Sequence, residues 1–220
     1  MLKEFFSSFL QSNCPLCQRS TAEIICQNCQ KQLKNCQLKN PCQFWQGELP
    51  VFVWGVYRDN LKRAIATFKY ENCPQLGEVM GDWLANAWMN SSLGDRAKKL
   101  TVIPIPLHRK KLQARGFNQA ELIAKSFCQL TGYRLQAKGL ERVRDTQAMF
   151  GLSVLEREKN IQQAFCLGDG LKQSHPNLPV LLIDDIYTTG TTALAAANLL
   201  RSHKISVLGI GAIAISRKED

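Results

Sequence analysis

An α/β fold built on a mostly parallel sheet, with a small cysteine-rich module ahead of it, is the architecture this 220-residue sequence predicts. Three observations carry the prediction. From residue 51 onward, apolar runs of strand composition alternate with stretches of helical spacing, the pattern of strands joined by helical crossovers. One of those runs, Val180-Leu181-Leu182-Ile183, ends at Asp184-Asp185 and is followed by the hydroxyl-rich turn Thr188-Thr189-Gly190-Thr191-Thr192. Ahead of the first run stand two C-x-x-C pairs, Cys14/Cys17 and Cys26/Cys29.

The cysteine module comes first in the chain. Eight residues separate the two pairs, a spacing that can gather four thiolates on one tetrahedral ion, so Cys14, Cys17, Cys26 and Cys29 are expected to hold a structural Zn²⁺. A short hairpin between the two knuckles would bring them together. A segment this small buries too little to hold itself by burial alone. Redox use of either pair is the weaker reading, because neither heads a βαβ unit. Nine cysteines, an odd number, in a chain with no clean apolar leader point to a cytoplasmic protein whose thiols stay reduced. Cys36 and Cys42, irregularly spaced, are read as spares that could replace a ligand or support a second metal, and Cys73, Cys128 and Cys166 are expected to be small buried apolar residues.

The body follows element by element. Residues 51–57 have strand composition, and 60–68 place Leu61, Ala64, Ile65 and Phe68 at helical spacing. Residues 76–89 form a second helix, whose Trp83 and Trp88 recur with Leu84 and Ala87 as core residues instead of a base-stacking platform. Residues 100–106 form a strand broken by Pro104 and Pro106. A basic segment then leads to a helix over 121–130 that Thr131-Gly132 stops. A short strand at 163–167, a loop through Gly168, Gly170 and Pro176, the buried strand at 180–183, a helix at 193–200 and a strand at 205–215 complete the order. An apolar content of 45% is ample for the core of such a body. No run approaches the length of a membrane span, so membrane insertion is not expected.

The net charge of +10 favours a polyanionic ligand or nucleic acid. It is concentrated: Arg96, Lys98, Lys99, Arg109, Lys110, Lys111 and Arg115 fall between residues 96 and 120 with no Asp or Glu among them. Because this cluster begins where a strand ends, it and the Asp184 turn would line one cleft at the carboxyl edge of the sheet. There the turn offers closely spaced amides and the N-terminus of a helix, which suit a phosphate. An ordinary acidic turn with a threonine cap is the plain alternative. Two other phosphate motifs are excluded. No lysine follows Gly190, and the three-glycine dinucleotide spacing is absent.

The apolar strand, the acidic pair and the Thr-Thr-Gly-Thr-Thr loop resemble the type I phosphoribosyltransferases. Further landmarks narrow the resemblance to the competence protein F (ComF) family, a zinc ribbon joined to a phosphoribosyltransferase-like domain, over nearly the whole chain. They are the paired C-x-x-C motifs, Phe68-Lys69-Tyr70, Ile103-Pro104-Ile105-Pro106-Leu107-His108-Arg109, Arg115-Gly116-Phe117-Asn118-Gln119, Arg142, Thr146, Leu152-Ser153, Arg157, Asn160 and Ala164-Phe165. The resemblance implies an N-terminal helix and zinc ribbon over residues 1–48 and a phosphoribosyltransferase-like domain over 49–220. It implies that Asp184 and Asp185 are catalytic, facing the ribose hydroxyls of phosphoribosyl pyrophosphate (PRPP), and that Thr188, Thr189, Gly190, Thr191 and Thr192 wrap its 5-phosphate. Pyrophosphate would be met by His108, Arg109, Arg115 and Lys69 with Mg²⁺, and residues 110–119 would form or border a mobile loop. Met149 stands near a position where the family often has glutamine, so no role of that glutamine transfers. Two functions follow as expectations: a PRPP-binding phosphoribosyltransferase-like protein linked to competence, or a non-catalytic competence factor, regulated by PRPP, that binds single-stranded DNA or a DNA-processing partner.

Overall fold

The structure, a computed structural model, describes residues 12–144, 163–172 and 176–216. Of the landmarks above, Thr146, Met149, Leu152, Ser153, Arg157 and Asn160 lie outside the described residues. The chain begins with an antiparallel pair, β1 (Ser12–Asn13) and β2 (Ser20–Thr21), followed by α1 (Gln27–Lys34). The body runs β3 (Val51–Val56), α2 (Asp59–Tyr70), α3 (Leu76–Met89), α4 (Ser92–Arg96), β4 (Thr101–Pro104), α5 (Arg109–Arg115) and α6 (Gln119–Thr131). It continues through β5 (Arg134–Leu135), β6 (Leu140–Arg142), β7 (Phe165–Leu167), α7 (Asp169–Lys172), β8 (Val180–Tyr187), α8 (Thr191–Ser202) and β9 (Val207–Ile215).

Five strands form the central sheet in the order β3-β9-β8-β4-β5, and every pairing in it is parallel. Strands covered on both faces must be apolar throughout. Val180 to Ile183 of β8 are fully buried, with Leu181 and Ile183 against one layer and Val180 and Leu182 against the other. Helices α2, α3 and α6 contribute Phe68, Leu84 and Phe127 to the first layer, and α8 contributes Ala196 and Leu200 to the second. After β4 the chain moves outward to β5, whereas after β8 it moves the opposite way to β9. The carboxyl ends of β4 and β8 therefore flank the topological switch point, where the departing connections leave a crevice.

Several elements differ from expectation. The segment after β4 is not an open loop: residues 109–115 are helical, because Lys-Lys-Leu-Gln-Ala-Arg are good helix formers and His108 caps them, its Nδ1 accepting from Lys110 N at 3.4 Å. Gly116, at φ +83, ends that helix in a conformation open to glycine. Helix α6 starts two residues early because Asn118 caps it: Oδ1 accepts from Ala120 N at 3.2 Å, and Nδ2 donates to Ile105 O at 3.1 Å. Strand β8 runs through its two aspartates to Tyr187 instead of ending at Ile183. Strands β6 and β7 pair antiparallel outside the main sheet.

The hairpin of the cysteine module flanks the first knuckle instead of lying between the two. β1 and β2 bracket Cys14 and Cys17, while Cys26 caps α1 and Cys29 sits in its first turn. Leu16, Ile25 and Leu33 of this module join the same core layer as Trp54 and Leu61. Main-chain bonds Leu38 N to Trp54 O and Val56 N to Cys36 O, both 2.9 Å, seat the following segment against β3. Trp88 is fully buried and donates to Tyr133 Oη at 3.0 Å, whereas Trp83 is only partly buried, stacked 4.8 Å from Trp54. Cys128 is buried as expected, but Cys73 and Cys166 are only partly so. Among the described residues, no helix is long and apolar enough to cross a membrane.

Candidate functional site

A cavity of about 790 Å³ opens at the carboxyl ends of β4 and β8. Successive residues of a strand point to opposite faces. Asp185 accordingly follows Leu181 and Ile183 toward the α2 and α6 side, and Asp184 turns to the other. Lys69, in the last turn of α2, places Nζ 2.5 Å from Asp185 Oδ2, with side-chain exposures of only 17% and 11%. Each carboxylate also takes the next main-chain amide: Asp184 Oδ1 accepts from Asp185 N at 2.8 Å, and Asp185 Oδ1 accepts from Ile186 N at 2.9 Å. Burial pushes the Asp184 carboxyl well above the usual range and the neighbouring Asp185 charge adds to it, against the Asp185 amide and the Lys69 charge.

The opposite wall is basic and comes from the segment after β4 and the end of β6. Lys111, Arg115 and Arg142 line the cavity with Lys69, giving four cations beside two carboxylates. The Arg115 guanidinium lies 5.4 Å over the Tyr70 ring and donates to Gln119 Oε1. Gln119 is 2% exposed, and its Nε2 finds no hydrogen-bond partner among the described residues. A buried donor left unpaired costs free energy unless a ligand takes it. Phe68 stacks on Phe117 at 5.5 Å. Phe68, Lys69 and Tyr70 thus reach, in turn, Phe117 just beyond the basic helix, the acidic pair and the last arginine of that helix.

The threonine loop leads into α8. Gly190 caps that helix at φ +77, and a Cβ there would run into the Tyr187 ring, so both backbone and space require glycine. Thr189 Oγ1 and Thr191 Oγ1 are 2.8 Å apart. Of the residues predicted from sequence, Lys69, Arg115, Asp184, Asp185 and Thr192 line the one cavity. Thr189 and Gly190 line a neighbouring cavity of about 380 Å³, while Thr188 and Arg109 are exposed and His108 turns its ring to the α5 amide. Sequence reasoning placed Lys111 and Gln119 only within the loop at 110–119 and quoted Arg142 only as a landmark, and so missed all three as lining of this cavity. No spacing marks them, because the chain reaches the cavity from three separate connections.

The second site is local. The four Sγ atoms of Cys14, Cys17, Cys26 and Cys29 lie within 4.8 Å of one another. Tetrahedral zinc with bonds of about 2.3 Å sets sulfurs about 3.8 Å apart, so the cluster suits a structural zinc. Burial raises the Cys14 thiol, but hydrogen bonds from the amides of Cys26, Leu16 and Cys17 outweigh it and bring it down to about 7. Cys29 is pushed up, by burial and by its three sulfur neighbours. Anionic and neutral thiols packed this closely are what a cation would reconcile. Cys36 stands apart, donating to Arg58 O at 3.7 Å.

No protein-family model matches the chain. Fold and sites define the class: an α/β protein with a five-stranded parallel sheet, a four-cysteine cluster suited to structural zinc, and an acidic-basic cavity at the switch point of the sheet. Within that class, the chain is a homologue of the ComF and ComFC competence proteins over most of its length. It is 27% identical over 210 residues to competence protein F of Haemophilus influenzae, covering 84% of this chain and 89% of that protein. With competence protein ComFC of Bacillus subtilis the identity is 25% over 191 residues, covering 85% and 70%. A DNA utilization protein, YhgH of Salmonella typhi, is 30% identical over 99 residues, which span 45% of this chain and 42% of that protein. Among solved structures, adenine phosphoribosyltransferase from Leishmania donovani matches at a TM-score of 0.40 and 15% identity, covering 86% of this chain and 79% of that one.

Proposed function

We propose that the cavity binds phosphoribosyl pyrophosphate and that the protein serves competence or DNA utilization as a phosphoribosyltransferase-like factor. One observation carries this reading: a single crevice brings together the adjacent carboxylates Asp184 and Asp185, the cations Lys69 and Arg115, and the unpaired donor of Gln119. Asp184 and Asp185 would accept hydrogen bonds from the ribose diol and stabilise positive charge developing on the sugar as pyrophosphate leaves. The 5-phosphate would sit in the loop Thr188, Thr189, Gly190, Thr191 and Thr192, at the positive end of α8. Arg115 and Lys69 would take the pyrophosphate, the arginine through its planar fork, and Gln119 would donate to an adjacent oxygen. His108 and Arg109, at the head of α5, would join them when residues 109–116 fold inward. The chain divides in this reading into residues 1–48, which zinc would stabilise, and 49–220, which would hold the ligand.

Mg²⁺ is an inference from the ligand's chemistry. The protein offers two carboxylates, one of them already against Lys69, so most ligands to such an ion would be oxygens of the substrate. When bound, the ion would neutralise pyrophosphate charge. The reading is tested by calorimetry of PRPP with Mg²⁺, together with pyrophosphate release across candidate bases, amines and single-stranded DNA. Saturable binding with release identifies turnover and its acceptor, and binding without release identifies a PRPP-regulated factor. No binding at millimolar PRPP would reject the site.

A second surface favours an additional single-stranded DNA role. A groove of about 820 Å³ runs between the cysteine module and α3, and among the described residues no carboxylate lines it. Trp83, seated on Trp54, offers a partly exposed ring, with Lys34 and Lys39 on one bank and Asn86 and Asn90 on the other. Stacking plus phosphate contact is how unpaired strands are held. Single-strand affinity should fall with salt and drop when Trp83 becomes alanine; a flat salt response would remove this reading.

A further inference from the structure

The Lys69 ammonium occupies the one Asp185 oxygen that no main-chain amide serves, since Oδ1 takes Ile186 N and Oδ2 takes Nζ. It stands within the cavity, at the carboxyl end of α2, where the helix dipole favours a cation whichever way the side chain turns. Its neighbour Phe68 is fully buried and stacked on Phe117, so the backbone that carries it is held in place, while the exposed Tyr70 lies under Arg115. The lysine itself has a flexible four-carbon stem and three donors, which allow it to change partners without moving that backbone.

We infer that Lys69 is an exchangeable counter-ion of the acidic pair. In the ligand-free protein it neutralises Asp185. When the phosphoribosyl ligand enters, the ammonium passes to the pyrophosphate and frees Asp185 for the ribose diol. This rests on the PRPP reading of the cavity and deepens it, because it assigns Lys69 a part in specificity. A divalent cation alone meets a carboxylate that is already paired and gains little by displacing a tethered ammonium. A sugar phosphate with a diol but no pyrophosphate has nothing to offer Lys69 in exchange. Only a ligand carrying both groups satisfies the lysine and the carboxylates together, so the site would distinguish PRPP from ribose 5-phosphate before any chemistry.

The test uses zinc-loaded, full-length protein, wild type and Lys69→Met, with Lys69→Gln as the substitute if methionine does not fold. Mn²⁺ alone is titrated by electron paramagnetic resonance, and ribose 5-phosphate and PRPP by calorimetry. Removing the tethered charge should tighten Mn²⁺ roughly tenfold or more, and Asp185→Asn in the same chain should cancel that gain. PRPP should weaken roughly tenfold in the lysine variant while ribose 5-phosphate is held or gains, so the ratio between the two collapses. A merely structural lysine would weaken both sugars alike and leave Mn²⁺ unchanged, and either result overturns the inference. If wild-type protein binds no PRPP, the reading of the cavity falls instead. The Mn²⁺ arm then still reports whether Lys69 neutralises the pair.

Discussion

The cysteine cluster and the switch-point cavity are assembled by opposite means. The cluster draws all four ligands from residues 14–29, joined by a two-stranded turn and the start of one helix. The cavity draws its charges from Lys69, Arg115, Arg142 and Asp184, which meet only because β4 and β8 are neighbours in the sheet. In the first the spacing is the chemistry, and a metal would supply the cohesion that so few residues lack. In the second the sheet supplies the cohesion, and the functional groups are mounted on ends of elements that the core already holds. Loss of an atom should therefore unfold the one and merely disarm the other.

The strongest challenge to that contrast is removal of the metal. Chelation, or Cys14→Ser with Cys29→Ser, should abolish bound zinc and withdraw a contribution of about 10 kcal/mol to the module. Because Leu16, Ile25 and Leu33 share a core layer with Trp54 and Leu61, the melting transition of the body should fall as well, by about 10 °C or more. An unshifted body transition by calorimetry would make the two regions energetically separate. Next in size, Asp184→Asn with Asp185→Asn should cost PRPP affinity about a hundredfold or more, with zinc content unchanged. Unchanged affinity would break the site assignment.

Smaller effects sharpen the comparison. Gly190→Ala should destabilise by about 1–3 kcal/mol through its positive φ and the contact with Tyr187. Adding Tyr187→Ala should return only part of this in a denaturant melt, since the backbone strain remains. Arg115→Ala should weaken PRPP roughly tenfold and lower the melting temperature by a few degrees, because Tyr70 is exposed but the buried Gln119 Oε1 loses its donor. The least effect concerns pH. A raised native pKa at Asp184 means the folded state holds its proton more tightly than the unfolded chain, so that contribution is full below the ordinary carboxylate range and is lost as pH rises through the native value. Asp184→Asn should consequently melt higher than wild type at neutral pH, with the difference closing on acidification. A difference that widens toward acid would reverse the sign.

How much of this is legible in the sequence follows from the same contrast. Cys14, Cys17, Cys26 and Cys29 declare themselves by spacing, and Val180 to Ile183 by an uninterrupted apolar run that only a strand covered twice explains. Asp184 and Asp185 are legible as a pair, but not their division between two faces, because the strand continues past them. Periodicity locates apolar stripes and is silent on polar ends, which is why α2 extends to Lys69 and Tyr70 and α6 begins at Gln119, at the residues that matter most to the cavity. The helix over 109–115 was hidden by its cationic composition: with no buried residue it has no apolar stripe to find. Partial exposure of Trp83 depends on how far the cysteine module reaches over α3, which no local pattern records.

The last turn of α2 sets a limit on length. Phe68, Lys69 and Tyr70 are consecutive, so they leave the axis about 100° apart, and each reaches a different part of the molecule. Inserting or deleting one residue anywhere between the start of that helix and Phe68 would rotate all three at once and advance them about 1.5 Å. No single compensating substitution could repair three broken alignments. The number of residues from the start of α2 to Tyr70 is thus fixed by the requirements of the cavity, although none of the described cavity-lining residues falls in that interval before Lys69.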